Sequence, residues 1–194
     1  MIDLIKMCLA GPLVLMVVGC VNSPRTSNYY LIESHVKSAS IDSTQRIVLY
    51  PIQLSDYLRS TNLHVKSESG EILYSATDLW AERPSKMLWR VMQQNLEEQT
   101  GHHVLKSHQV SNSCAQIKVQ INELSSNVRG EVISSGRWFV SAGDKKIQTN
   151  KFFFSGNISV DGYSAANKLI AGHLHELSNE LEQQIESLGL CQSA

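Results

Sequence analysis

The chain has 194 residues, of which 42% are hydrophobic and 18% charged, and its 17 Lys and Arg nearly balance 18 Asp and Glu for a formal net charge of −1. No long basic run is present, which argues against a nucleic-acid partner and against a polybasic membrane clamp. The length suits one domain with a real core rather than two.

An apolar run from Met7 ends at Val17-Val18-Gly19-Cys20, and a polar stretch opens with Asn22-Ser23-Pro24. The run is far shorter than the ~20 residues a spanning helix needs, and the small residue before the break marks processing, so residues 1–19 read as an export signal. The motif resembles the lipobox of bacterial lipoproteins. There the cysteine thiol takes a diacylglyceryl group before cleavage, and the new amino terminus is then acylated. By that resemblance Cys20 is the lipidation site, and several acyl chains hold where one alone is marginal. The alternative is an ordinary secretory signal or uncleaved anchor with an incidental Cys20. Val21 stands where an aspartate would resemble an inner-membrane retention signal, which favours an outer-membrane anchor facing the periplasm. Residues 20–28 then form a lipidated linker and 29–194 a single periplasmic domain.

Cys8 leaves with the signal and Cys20 is lipidated, so Cys114 and Cys191 remain. In an oxidising compartment they are expected to pair as a disulfide, the alternative being two separate thiols. A metal site built from His102, His103, His108 and Cys114 is the rival reading, but their spacing follows no zinc pattern, and no metal is expected.

Tyr29 to Ile32 reads as a first strand, and after a Ser/Thr-rich loop Arg46 to Ile52 reads as a second that ends or meets an edge at Pro51. Leu63–Lys66 and Ile72–Ser75 flank Ser69-Gly70-Glu71 as a hairpin. A helix is predicted from Pro84 to Gly101, with Met87, Leu88, Val91, Met92 and Leu96 on one face. Val104-Leu105 is a short strand candidate. Ala115, Ile117, Val119 and Ile121 alternate with polar residues, and two further strands follow, Val132–Ser141 and one containing Phe152, Phe154, Ile158 and Val160. The three imply an antiparallel meander. Phe153 and one of Trp138 or Phe139 must face the opposite side, where a loop, subunit or partner would cover them. A final helix, capped by Ser164 and running from Ala165 to Leu188, carries an apolar stripe that includes His173, read as a hydrogen-bonded core histidine. The fold class is α+β, a mixed or antiparallel sheet with two helices packed on one face.

No GxSxG, HExxH, GxGxxG or GxxxxGK[ST] motif occurs, and nothing in the spacing of Asp56, Asp78 and Glu82 selects an acid–base set. The chain is therefore read as a non-enzyme without a cofactor. Asn28-Tyr29-Tyr30-Leu31, Ile47 to Ile52 with Asp56-Tyr57-Leu58, and Leu79-Trp80-Ala81-Glu82 before a helix resemble the ABC-type transport auxiliary lipoprotein family, which includes the PqiC/YmbA-like membrane-integrity lipoproteins. The family more usually has Trp-Ala-Glu-Pro-Leu where this chain has Trp80-Ala81-Glu82-Arg83-Pro84. The resemblance implies an accessory subunit of an MCE-type (PqiB-like) intermembrane lipid transport system, with an MCE-domain protein as partner and assembly of some members into homo-oligomeric rings. A structural or assembly lipoprotein of another envelope complex, or a periplasmic hydrolase, are the alternatives. Trp80, Glu82, Arg83, Trp138 and Phe153 are the partner-facing candidates, with strand-end packing as the competing role for Trp80.

Overall fold

A thirteen-residue strand forms the spine of a nine-stranded mixed sheet. The computed structural model describes residues 26–34, 36, 41, 43–109, 112–142, 145–159 and 162–192. Residues 1–25, which hold the predicted export signal, Cys20 and most of the predicted linker, lie outside the described residues, as do Gly143, Asp144 and Val160.

The strands are β1 (Asn28–Tyr30), β2 (Arg46–Leu49), β3 (Gln53–Leu54), β4 (Asn62–Lys66), β5 (Ile72–Trp80), β6 (His103–Leu105), β7 (Ala115–Asn127), β8 (Glu131–Ala142) and β9 (Lys145–Asn157). The helices are α1 (Pro84–Thr100) and α2 (Tyr163–Ser187). One edge of β7 takes β2, β3 and β4 end to end, all parallel, while its other edge takes β8 antiparallel, and β9 follows β8. The sheet therefore forks: β6 extends it beyond β2, and β5 then β1 extend it beyond β4.

Alternation fixes which face meets the helices. Ala115, Ile117, Val119 and Ile121 of β7, and Val132, Trp138 and Val140 of β8, are buried against the apolar stripes of α1 and α2 in one continuous core. Both helices thus lie on one side of the sheet, as the pattern implied. Gly136 sits opposite Ile121 with the Phe152 ring over it, and a Cβ there would collide with the Gln120 carbonyl oxygen and meet the ring at 2.8 Å. Where α1 ends, Gly101 adopts φ 64° and donates to the Glu97 carbonyl at 3.0 Å.

Several predicted boundaries shift, each for a tertiary reason. The first strand stops at Tyr30, because Ile32 turns into the core and its N–H meets Met87 Sδ at 3.3 Å. The single strand expected over 46–52 is two strands separated at Pro51, both following β7. β5 runs on to Trp80 because its second half pairs with β1 after a bulge in its pairing with β4. Ser164 does not cap α2. Gly162 holds the N-cap position at φ 119°, a conformation open to glycine, and Ser164 is an exposed first-turn residue.

Candidate interaction surface

The corner where β5 passes into α1 gathers three of the candidate residues. Trp80 pairs with Tyr30 of β1 and packs half-buried on the core, its backbone N–H donating to the Thr61 carbonyl at 2.7 Å. Glu82 accepts from Arg90 Nε at 3.2 Å and Nη2 at 2.9 Å, with Lys86 Nζ at 3.7 Å. A carboxylate just before a helix N-terminus is favoured by the helix dipole, so this cluster secures the helix entry. Arg83, the N-cap of α1, is exposed. Beside this corner Asp78 binds β1 to β5, accepting from Asn28 Nδ2 at 3.0 Å, Ser75 Oγ at 2.7 Å, Tyr30 Oη at 3.2 Å and Thr77 Oγ1 at 3.3 Å. These donors, Asn28 foremost, hold its carboxyl below the usual aspartate range.

The other two candidates separate. Trp138 is 2% exposed and faces α2, where its indole N–H donates to Glu180 Oε2 at 3.4 Å, so it belongs to the core and not to a partner surface. Burial pushes the Glu180 carboxyl up, and the Trp138 hydrogen bond opposes that rise. The tryptophan occupies an even position of β8 and all even positions from Val132 to Val140 point inward, which leaves Phe139 on the outer face. Phe153 is 65% exposed on that outer face. It lies four strand positions from β5, roughly 19 Å at ordinary strand spacing, so the candidates form two surfaces and not one.

The outer face of the meander carries residues that sequence reasoning did not single out. Lys118 stands opposite Phe139, and Arg137 stands between Gln120 and Lys151. Lys118 Nζ sits 4.8 Å over the Tyr50 ring. None of these three cations has a carboxylate partner among the described residues. The only hint in sequence was parity: Arg137 and Lys151 lie two residues from Phe139 and Phe153.

The remaining titratable groups are distributed rather than convergent. Asp56 pairs with Arg59 at 3.3 Å on the surface, and Asp78 and Glu82 have the separate partners given above. His173 is buried, with Nδ1 at 2.9 Å from Ser134 Oγ and its ring beside Phe154, and burial holds its pKa below the ordinary histidine value. This pair is closed beneath α2. Cys114 and Cys191 are joined by a disulfide with Cα atoms 4.9 Å apart, which ties the start of β7 to the chain beyond α2. Cys114 is thereby occupied as a ligand, and among the described residues no group of three His, Cys, Asp or Glu side chains is placed to hold a metal. A groove of about 710 Å³ runs beside Tyr50, Gln53, Arg59 and Lys118. No helix among the described residues is long and apolar enough to cross a membrane.

Comparison with known proteins adds the following. The model of a family described as the ABC-type transport auxiliary lipoprotein component matches residues 29–185. No curated protein matches the chain. A crystal structure of an uncharacterized protein is similar at 19% identity and TM-score 0.72, over 82% of this chain and 99% of that one. A Xanthomonas campestris protein from a family of unknown function is similar at 14% identity and TM-score 0.62, over 80% of this chain and 92% of that one. At these identities the two neighbours show a shared fold.

Proposed function

Since the chain belongs to the ABC-type transport auxiliary lipoprotein component family, we propose that it is the non-enzymatic accessory subunit of an MCE-type intermembrane lipid transport system, anchored in the outer membrane through acylated Cys20 and facing the periplasm. One observation carries the reading: the family match begins at residue 29, nine residues beyond a Val17-Val18-Gly19-Cys20 sequence that ends an apolar run. The domain supplies protein surface, and its partner is an MCE-domain protein that spans the periplasm. The distributed acidic residues and the closed His173–Ser134 pair support a role in binding rather than catalysis. Assembly into a ring of identical subunits belongs to the same proposal.

Mild-detergent co-purification of natively expressed, C-terminally tagged protein, with mass spectrometry of the co-eluting proteins and of the intact lipoprotein, tests it. The expected result is an MCE-domain protein together with triacylated Cys20. Recovery with an unrelated envelope machine, or alone, would overturn the transport assignment. A Cys20→Ala protein that stays acylated and membrane-bound would overturn the anchor.

A further inference from the structure

Across β7, β8 and β9, residues directly opposite one another share a face. On the side away from the helices this brings Lys118, Arg137 and Lys151 together with Phe139 and the exposed Phe153. Among the described residues of the meander two carboxylates share this side: Glu123, opposite Ser135 and so about 7 Å along β8 from Arg137, and Glu131 at the other end of the strand. Glu123 is held by Lys66 at 2.8 Å, and Glu131 accepts from Asn127 at 3.0 Å, about 20 Å along β8 from Arg137. On the opposite side of the sheet α2 carries one lysine against four glutamates, a formal charge of −3. The molecule is nearly neutral as a whole yet polarised through its sheet. At the far edge, Tyr30 meets Tyr163 of α2 edge to face and Ile32 enters the core. Alternation within β1 therefore turns Tyr29, 66% exposed, to the same outer side as Phe153.

We propose that this outer face rests on the anionic phospholipid surface in which the chain is anchored, with Lys118, Arg137 and Lys151 at the headgroups and Phe153 and Tyr29 at the interface. The location of the anchor rests on the acylation of Cys20 proposed above. Eight peptide steps separate Cys20 from Asn28, a reach of at most about 29 Å. The five strand spacings from β1 to β9 amount to roughly 24 Å. Because β4 joins β7 at Ser126, eight residues or roughly 26 Å along the strand from Lys118, the tether spans the width of the face and not its length, and the surface that holds the anchor can lie against it. A polarised domain beside such a surface turns its cations toward it and its acidic helix away. Aromatic rings interleaved with Lys and Arg are the side chains that partition to a headgroup layer.

The test uses acylated protein reconstituted in vesicles of phosphatidylcholine alone or with phosphatidylglycerol. An environment-sensitive fluorophore is placed on Ser155→Cys, exposed on the outer face beside Phe153, or on Gln183→Cys, exposed on α2. With Cys114 and Cys191 in a disulfide, the introduced thiol is the reactive one. The expected result is a blue shift at position 155 only, on anionic vesicles only, reversed by high salt and by combined Lys118→Gln, Arg137→Gln and Lys151→Gln, with circular dichroism reporting that the fold is kept. The Cys20→Ser chain should sediment with anionic vesicles roughly fivefold more weakly for each cation neutralised, about a hundredfold for all three. An unshifted label on acylated, vesicle-bound protein would overturn the proposal. So would an equal shift on neutral vesicles, or one without vesicles, which would mark a protein occupant. Absence of acyl mass would refute the anchor alone, and sedimentation of the Cys20→Ser chain would still decide the face.

Discussion

Removing the Cys114–Cys191 link should cost about 3 kcal/mol. The two cysteines are 77 positions apart, and in the chain-entropy model closing a loop of that length withdraws about 4.5 kcal/mol of freedom from the unfolded chain at 25 °C. Against this stands a local cost, because Cys191 holds φ 61°, the left-handed region that costs a residue with a Cβ roughly 1–2 kcal/mol. That strain is released when the tail is freed, so the net loss is the difference between the two. For a chain of this size the loss corresponds to a fall in Tm of roughly 6–12 °C. The comparison is Cys114→Ala/Cys191→Ala against the oxidised parent, by urea unfolding and calorimetry on the non-acylated Cys20→Ser background. The midpoint should fall while the slope holds or rises slightly, since the unlinked chain exposes more surface when unfolded. A loss below about 1 kcal/mol would refute the reasoning, and would mean that strain cancels the entropic gain or that the denatured chain keeps its ends together.

Three further outcomes follow from packing and charge. Gly136→Ala should lose about 3 kcal/mol in urea unfolding, since the methyl would strike both the Gln120 carbonyl oxygen and the Phe152 ring, and a loss below ~1 kcal/mol would mean that the ring moves aside freely. His173 has its pKa lowered by burial, with the Glu176 charge partly opposing. The unfolded chain takes up the proton first, so stability is full above pH 6.5 and falls as the pH drops from there toward the folded-state value, by at most about 1.4 kcal/mol per pH unit. Burial lowers His64 and His102 as well, so His173→Gln should shallow this acid slope without abolishing it, and an unchanged slope would remove His173 from the account. Asp78→Ala should free β1 from β5, seen as about tenfold faster amide exchange over Asn28–Tyr30 with α1 unchanged, and equal acceleration in both would refute a local clamp.

The parts of the fold legible in sequence are those whose partners are generic. The stripe from Met87 to Leu96 and the alternation from Ala115 to Ile121 each require only some apolar surface to face, so periodicity was enough. The parts that were not legible depend on a particular neighbour. Ala76-Thr77-Asp78 is a poor strand by composition, and it is extended because β1 lies beside it and Asp78 collects the donors. The second half of β7, Glu123–Asn127, follows a register shift between Ile121 and Glu123 that breaks the alternation sequence reading relies on. At the candidate surface the adjacent pair Trp138-Phe139 had no readable parity, since both are large and apolar. Only the inward run Val132, Ser134, Gly136, Trp138, Val140 assigns the tryptophan to the core. The cationic cluster was invisible because Lys118, Arg137 and Lys151 come from three strands and meet only through register.

The forked sheet also sets an order in time. Strands β2, β3 and β4 each lean on β7, whose residues are made some sixty positions later, so the early pairs β4–β5, β1–β5 and β2–β6 emerge as separate pieces with nothing to join them into one sheet. The β7–β8–β9 meander, by contrast, closes through neighbouring hairpins with little loop entropy to overcome. Folding should therefore begin at the back of the chain and recruit its front. Until residue 127 has appeared, the edges of β2, β3 and β4 that β7 will cover stay open, and these are the edges that need shielding during synthesis.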